Sequence, residues 1–114
     1  MNYVYHRNNP PYGDTTTIIT KDASAYVMIT QFNETKDTAV LHDLVVLKDR
    51  RGEGLGSAIL EEAVAEAKRM GANAVRLSVE PKSWLEEWYK RHGFQETGQV
   101  EDLGSKFNVL ERKL

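Results

Sequence analysis

The 114-residue chain contains no cysteine. Disulfide bonds, thiolate metal ligands and a cysteine nucleophile are therefore excluded, and this composition is typical of a reducing compartment. No apolar run approaches the roughly 20 residues needed to cross a bilayer. The opening residues, MNYVYHRNNPPYGD, hold no apolar segment of the kind found in export signals. We expect a cytoplasmic protein that does not enter the membrane.

The chain also has almost no excess of charge of either sign, since its formal net charge is only -2. Such a chain has no bulk attraction to nucleic acid or to an anionic membrane surface, so neither is expected as a partner. The histidines at 6, 42 and 92 are too far apart for metal-ligand spacing. No repeat, low-complexity tract or linker divides the sequence. We predict a single domain over residues 1–114 with no metal site.

Runs rich in β-branched and aromatic residues predict strands on both sides of a helical region. Short turns join the early strands, which favours antiparallel pairing there. The predicted strands cover residues 2–6, 15–20, 25–32, 38–47, 74–79, 93–100 and 105–114.

Two segments predict helices instead. Apolar residues recur at helical spacing from Leu55 to Ala67, and the charged residues between them, Glu66 included, are expected to face solvent. Ser83 and Glu86 have the spacing of a capping box for a second helix over 84–92. Trp84 and Trp88, one turn apart in that helix, are expected to anchor the core or an interface.

The order of these elements predicts an α/β domain with a mixed sheet of about six to seven strands and two helices. The strands 38–47 and 74–79, joined through the first helix, are expected to be parallel neighbours.

The segment RRGEGLGSAIL places Gly52, Gly54 and Gly56 at alternating positions before the first helix. Glycines let an anion approach the backbone at a helix N-terminus, where the N–H groups are unpaired. The segment lacks the Gly-Lys-Ser/Thr of a P-loop and the spacing of a dinucleotide fingerprint. Taken alone, it predicts either a phosphate site or a tight turn with close helix packing.

Two motifs resemble those of the GNAT family of N-acetyltransferases. LVVLKDRRGEGLGSAIL is similar to the family's motif A, R/Q-x-x-G-x-G/A, with Arg51, Gly54 and Gly56 in place. WLEEWYKRHGF is similar to its motif B. The resemblance runs from Leu44 to Phe94 and implies a GNAT-like fold that binds acetyl-coenzyme A in a V-shaped opening between strands 38–47 and 74–79.

The resemblance also implies which residues bind the acyl donor. Lys82 stands where the family often has asparagine, so it is expected either to reach a phosphate of coenzyme A or to mark a missing contact. Glu53 replaces a frequent basic residue and should weaken anion binding unless it points outward. The pantetheine arm is expected beside Leu44, Val45 and Val46, and the pyrophosphate on the amides of Arg51, Gly52, Gly54, Gly56 and Ser57.

The activity implied is direct transfer of an acetyl group to an amine. Tyr89 matches a tyrosine that the family uses as general acid toward the thiolate, and a backbone N–H at Val45 or Val46 is expected to polarise the carbonyl. Three candidates remain for the base, namely His42, Glu80 and water. Asp43 alternates with His42 and is expected on the opposite face of its strand.

The N-terminal part departs most from the family. Only 14 residues, including NNPPYGD, precede strand 15–20, where typical members have a first strand and two helices that wall the acceptor site. We expect an acceptor side that is open to a bulky amine or completed by a second copy in a homodimer. Two alternatives stay open: a non-catalytic GNAT-like domain that binds coenzyme A or a protein partner, and a binding module for another phosphate ligand.

Overall fold

The computed structural model describes residues 2–114 and confirms the α/β class, with seven strands and two α-helices in the predicted order. A short 3-10 turn, Lys48–Arg50, follows the fourth strand. The elements are β1 Tyr3–Asn8, β2 Gly13–Thr20, β3 Ala25–Phe32, β4 Thr38–Val46, α1 Leu55–Arg69, β5 Ala74–Val79, α2 Trp84–Arg91, β6 Gln95–Asp102 and β7 Ser105–Lys113.

All seven strands form one mixed sheet in the order β1-β2-β3-β4-β5-β7-β6. The pair β4–β5 is parallel, as the intervening helix predicts, and the other neighbouring pairs are antiparallel. Strand β1 passes directly into β2 through a turn at residues 9–12, so no helix separates these two strands. No helix in the described part of the chain is long and apolar enough to span a bilayer.

Both helices lie on one face of the sheet. The apolar stripe of α1 is buried against β2, β3, β4 and β5, as its helical spacing predicts. Helix α2 contributes Tyr89 to the same core, and Phe94 just beyond it is buried there too. Over residues 2–114, no helix covers the opposite face. We call it the helix-free face, and it carries the alternate side chains of each strand, Tyr26 and Val45 among them.

The expectation that Glu66 faces solvent is wrong. Its side chain is only 2% exposed and accepts hydrogen bonds from Arg7, Arg69 and Thr16 at 2.7–2.9 Å. Burial alone would raise the pKa of Glu66, but these bonds outweigh it and hold the pKa well below its usual range. The carboxylate therefore stays charged, and it ties β1 and β2 to α1.

Strand β4 contains a bulge that separates its end from β5. Met28 pairs with Asp43 but Ile29 pairs with Leu41, so His42 is an extra residue in the ladder. Pairing with β5 covers only Thr38–Val40, after which the two strands diverge. The edge of β4 beyond residue 43 thus faces an opening rather than a neighbouring strand, as the family resemblance implies.

Candidate active site

Two glycines in the turn between β4 and α1 adopt a backbone conformation that other residues rarely take. Gly52 has φ 85° and Gly54 has φ 80°, and no atom lies within 4 Å of where a side chain would begin. Gly54 is the N-cap of α1, which has no capping side chain and no acidic residue in its first turn. The N–H groups there give the helix end a partial positive charge. An anion can approach this bare backbone closely.

Gly56 serves a different purpose. It is helical, and a side chain on it would begin 3.4 Å from the indole Cζ2 atom of Trp88. Its missing side chain therefore lets α2 pack close to the start of α1. Close helix packing is thus confirmed at Gly56, while the phosphate site at Gly52 and Gly54 stays a prediction that the open turn permits.

A cavity of about 470 Å³ lies where β4 diverges from β5. The glycine turn borders it at one end and Tyr89 lines it from α2. Nine of the residues predicted to contact the acyl donor or to act on it line this one cavity: Leu44, Val45, Val46, Arg51, Gly52, Gly54, Gly56, Ser57 and Tyr89.

The apolar wall that α2 gives this cavity was not predicted from the sequence. Trp84, Leu85 and Trp88 line it together with Leu55 of α1. Trp84 is 71% exposed, so it does not anchor the core, and its part in an interface stays a prediction. Trp88 packs against the core, as predicted. The available signal was the spacing, because residues 84, 85, 88 and 89 share one face of a helix.

The two arginines before the glycines have different surroundings. Arg50 binds Asp22 at 2.7 Å and Glu53 at 3.1 Å, so its charge is already neutralised and Glu53 is held by it. Hydrogen bonds from Ser24 and Arg50 hold the pKa of Asp22 well below its usual range. Arg51 makes no ion pair within the described residues and donates its Nε–H to the Val46 carbonyl at 3.1 Å. Arg51 is therefore the cation available to a phosphate group.

Tyr89 is 5% exposed, and its hydroxyl makes no hydrogen bond to another described residue. Burial, with a smaller contribution from the nearby charge of Asp43, raises the pKa of Tyr89 to about 12. The phenol therefore stays protonated at neutral pH and can act as a hydrogen-bond donor in the cavity.

The expectation that His42 and Asp43 point to opposite faces of β4 is wrong. Asp43 pairs with Met28 on the helix-free face, and His42 lies within 2.8 Å of the Thr30 hydroxyl and against the Phe32 ring on that same face. The bulge breaks the alternation of the strand. Neither residue lines the cavity, but Asp43 lies close enough to Tyr89 for its charge to raise the pKa of that phenol.

Glu80 and Lys82 also lie outside the cavity lining. The Glu80 carbonyl accepts hydrogen bonds from Ser83, which caps α2. Lys82 has φ 60°, and its N–H donates to Glu86, which in turn accepts from Asn108 of β7. These contacts fix the loop between β5 and α2. The contacts involve the backbone atoms of Glu80 and Lys82 and not their side chains.

Comparison with known proteins shows what this chain is similar to. A family model described as an acetyltransferase (GNAT) domain matches residues 12–96. An uncharacterised N-acetyltransferase of Methanocaldococcus jannaschii is 40% identical over 65 residues, which cover 55% of this chain and 28% of that relative. This chain thus matches little more than a quarter of the relative's length.

Two solved structures share the fold over nearly the whole chain. A GNAT-family protein of Desulfovibrio desulfuricans has a TM-score of 0.77 at 15% identity, with 98% of this chain and 99% of that chain covered. A GNAT acetyltransferase of Elizabethkingia anophelis, solved with acetyl-CoA bound, has a TM-score of 0.72 at 12% identity, with 99% of both chains covered. At these identities the likeness shows the fold alone.

Proposed function

This chain belongs to the acetyltransferase (GNAT) family, and on that premise we propose that it transfers the acetyl group of acetyl-CoA directly to an amine of a small molecule, protein or other acceptor. One observation carries the proposal. A single cavity of about 470 Å³ joins the glycine turn, the unpaired end of β4 and Tyr89. It thus combines an anion site, a strand edge and a protonated phenol.

In this proposal the acyl donor lies along the cavity. Its pyrophosphate rests on the amides between Arg51 and Ser57, where the first turn of α1 lacks a side-chain cap. The pantetheine arm follows the edge of β4 at Leu44–Val46 and packs against the apolar wall of α2. To pair with the Val46 carbonyl, the arm takes the place of the Arg51 guanidinium, which is then released toward the phosphates.

The chemistry needs one acid and one base. The amine nitrogen attacks the thioester carbon, the carbon–sulfur bond breaks, and negative charge develops on sulfur. A backbone N–H at Val45 or Val46 polarises the carbonyl, and the Tyr89 hydroxyl donates to the departing thiolate. The proton lost by the amine passes to a base on the acceptor side.

We place the acceptor on the helix-free face. The direct turn from β1 to β2 leaves that face uncovered within residues 2–114, and the bulge brings His42 and Asp43 to it. An open face of this kind suits a bulky amine, such as a lysine side chain or the N-terminus of a protein. Completion of the site by a second copy of the chain stays a prediction.

Acetyl-CoA and free CoA are expected to raise the thermal unfolding midpoint, and ATP is expected to have little effect. A ligand that binds only the native state adds about 2.7 kcal/mol at 100 times its dissociation constant. For a domain of this size that corresponds to a rise of roughly 10 °C. The measurement is a thermal scan with each ligand, and no rise with acetyl-CoA or CoA would contradict the proposal.

Two glycines at opposite ends of α1 provide a test variant and its matched control: Gly54 is the test position and Gly71 is the control. Gly54 and Gly71 have φ 80° and φ 90°, and neither has an atom within 4 Å of its missing side chain. Each Gly→Ala change should therefore cost about 1 kcal/mol through backbone strain. Only Gly54→Ala should also lose most of the rise with CoA. Equal rises in the two variants would show that the glycine turn does not hold the pyrophosphate.

Of the two candidate side-chain bases we favour His42 over Glu80. The side chain of His42 is held by Thr30 and lies next to Asp43, whose charge reaches Tyr89, whereas only the Glu80 backbone has defined contacts. His42→Gln is expected to lower kcat/KM by about tenfold. Glu80→Gln should stay within about twofold of the wild type. Initial rates of the two variants test this, and an unchanged rate in His42→Gln would point to water as the base.

A further inference from the structure

A serine–histidine pair joins the first turn of α1 to the end of α2. Ser57 lines the cavity, and its hydroxyl lies 2.9 Å from Nε2 of His92. The other ring nitrogen, Nδ1, lies 2.7 Å from the Trp88 carbonyl. Because a carbonyl oxygen can only accept, Nδ1 must carry a hydrogen. In the neutral ring Nε2 is then an acceptor, and the Ser57 hydroxyl donates to it.

This arrangement turns the Ser57 proton away from an anion in the cavity. If His92 gains a proton, Nε2–H becomes a donor to the Ser57 oxygen, and the hydroxyl proton is free to point to a phosphate. One proton on His92 therefore adds a positive charge next to the first turn of α1. It also frees the Ser57 hydroxyl as a hydrogen-bond donor toward the cavity. Both changes favour a bound anion.

We propose that His92 is a positioning residue for the phosphate end of the acyl donor, and that binding of this end takes up a proton on His92. The affinity for coenzyme A then rises as the pH falls from 8 to 5.5. This inference rests on the proposed function, since it concerns the same cavity. His92 does not itself line the cavity, so it acts on the bound phosphate through the Ser57 hydroxyl, which does.

Charged and aromatic groups from three elements surround His92. From α1, the Glu61 carboxylate faces it, and from β7 the Arg112 guanidinium donates to the His92 carbonyl at 3.2 Å. Glu61 and Arg112 bind each other through two hydrogen bonds, so their charges offset each other next to the ring. The Trp88 indole stacks on the imidazole at 4.1 Å between centroids, and an aromatic face favours a cation.

The test uses dephospho-CoA and CoA as probes. The 3′-phosphate of CoA itself titrates near pH 6. Dephospho-CoA lacks this group and keeps only the pyrophosphate, so the pH dependence of its binding affinity reports on the protein. Titration calorimetry at pH 5.5, 7 and 8 is expected to show affinity rising by about five- to tenfold toward low pH in the wild type. Measurements in buffers of different ionisation enthalpy should show net proton uptake when dephospho-CoA binds.

Three variants make the result specific. In His92→Gln the affinity should be independent of pH and proton uptake should disappear, because the amide can still contact Ser57 but cannot gain a proton. Ser57→Ala, a smaller change that keeps the backbone amide, should reduce the pH dependence. His6→Gln, on the exposed part of β1, should behave as the wild type.

Equal pH dependence or equal proton uptake in His92→Gln and in the wild type would overturn the inference. This outcome differs from failure of the proposed function, in which neither probe binds the wild type at any pH. Circular dichroism and the thermal midpoint of each variant establish that it is folded before binding is measured. If His92→Gln does not fold, Ser57→Ala decides, because an unaltered pH dependence there excludes the hydroxyl switch.

Discussion

Replacement of Tyr89 by phenylalanine is expected to lower kcat/KM for acetyl transfer by about a hundredfold and to leave the affinity for CoA within about twofold. The hydroxyl makes no hydrogen bond to another described residue, so its removal breaks no polar contact that holds the fold. The ring, which packs against Trp88 and Phe94, is retained. The loss therefore falls on the departing thiolate, which no longer receives a hydrogen bond.

The raised pKa of Tyr89, about 12, adds a pH signature to this prediction. The donor role requires the protonated phenol, and a raised pKa keeps that form in place until the pH approaches 12. No alkaline loss of rate due to Tyr89 is thus expected between pH 7 and 10. Steady-state rates and CoA binding of Tyr89→Phe are compared with Tyr3→Phe, a tyrosine on β1 outside the cavity. Full activity in Tyr89→Phe would rule out the donor role.

The parts of the site that follow from short-range pattern could be predicted. Gly52 and Gly54 lie next to the helix that they begin, and the apolar stripe of α1 is a property of one segment. Tyr89 was assigned from the resemblance to motif B, a continuous stretch whose first part forms α2, and it lines the cavity. Each of these features depends on residues within a few positions of one another.

Features that depend on distant partners could not be predicted. The bulge at His42 arises from the pairing of β4 with β3, so alternation along β4 alone wrongly put His42 and Asp43 on opposite faces. Glu66 looked like a solvent-facing residue of an amphipathic helix, but its partner Arg7 lies 59 positions away in the sequence. In both cases the side chain's surroundings come from another strand, which a one-dimensional pattern does not contain.

The second large effect is expected at Glu66. Glu66→Ala should lower the free energy of unfolding by about 3 kcal/mol, because removal of one member of a buried charged cluster leaves the others unpaired. Arg7 and Arg69 are 49% and 53% exposed and can regain water, which keeps the loss at the lower end of the usual range. The buried Thr16 hydroxyl also loses its acceptor. We expect the thermal midpoint to fall by roughly 12 °C.

The pH dependence of stability distinguishes the loss of the Glu66 charge from a simple loss of side-chain packing in Glu66→Ala. The folded-state pKa of Glu66 is depressed, so its stabilisation is fully present above the ordinary glutamate range, near pH 4.5, and is lost as the pH falls below it. The gap between wild type and Glu66→Ala in urea unfolding should therefore be widest at pH 6–7 and should shrink toward pH 2–3. Glu87→Ala, an exposed helical glutamate without a partner in the described residues, is the matched control and should change stability by less than about 0.5 kcal/mol. A gap that is the same at pH 7 and pH 3 would contradict an ionised Glu66 as the link between β1 and α1.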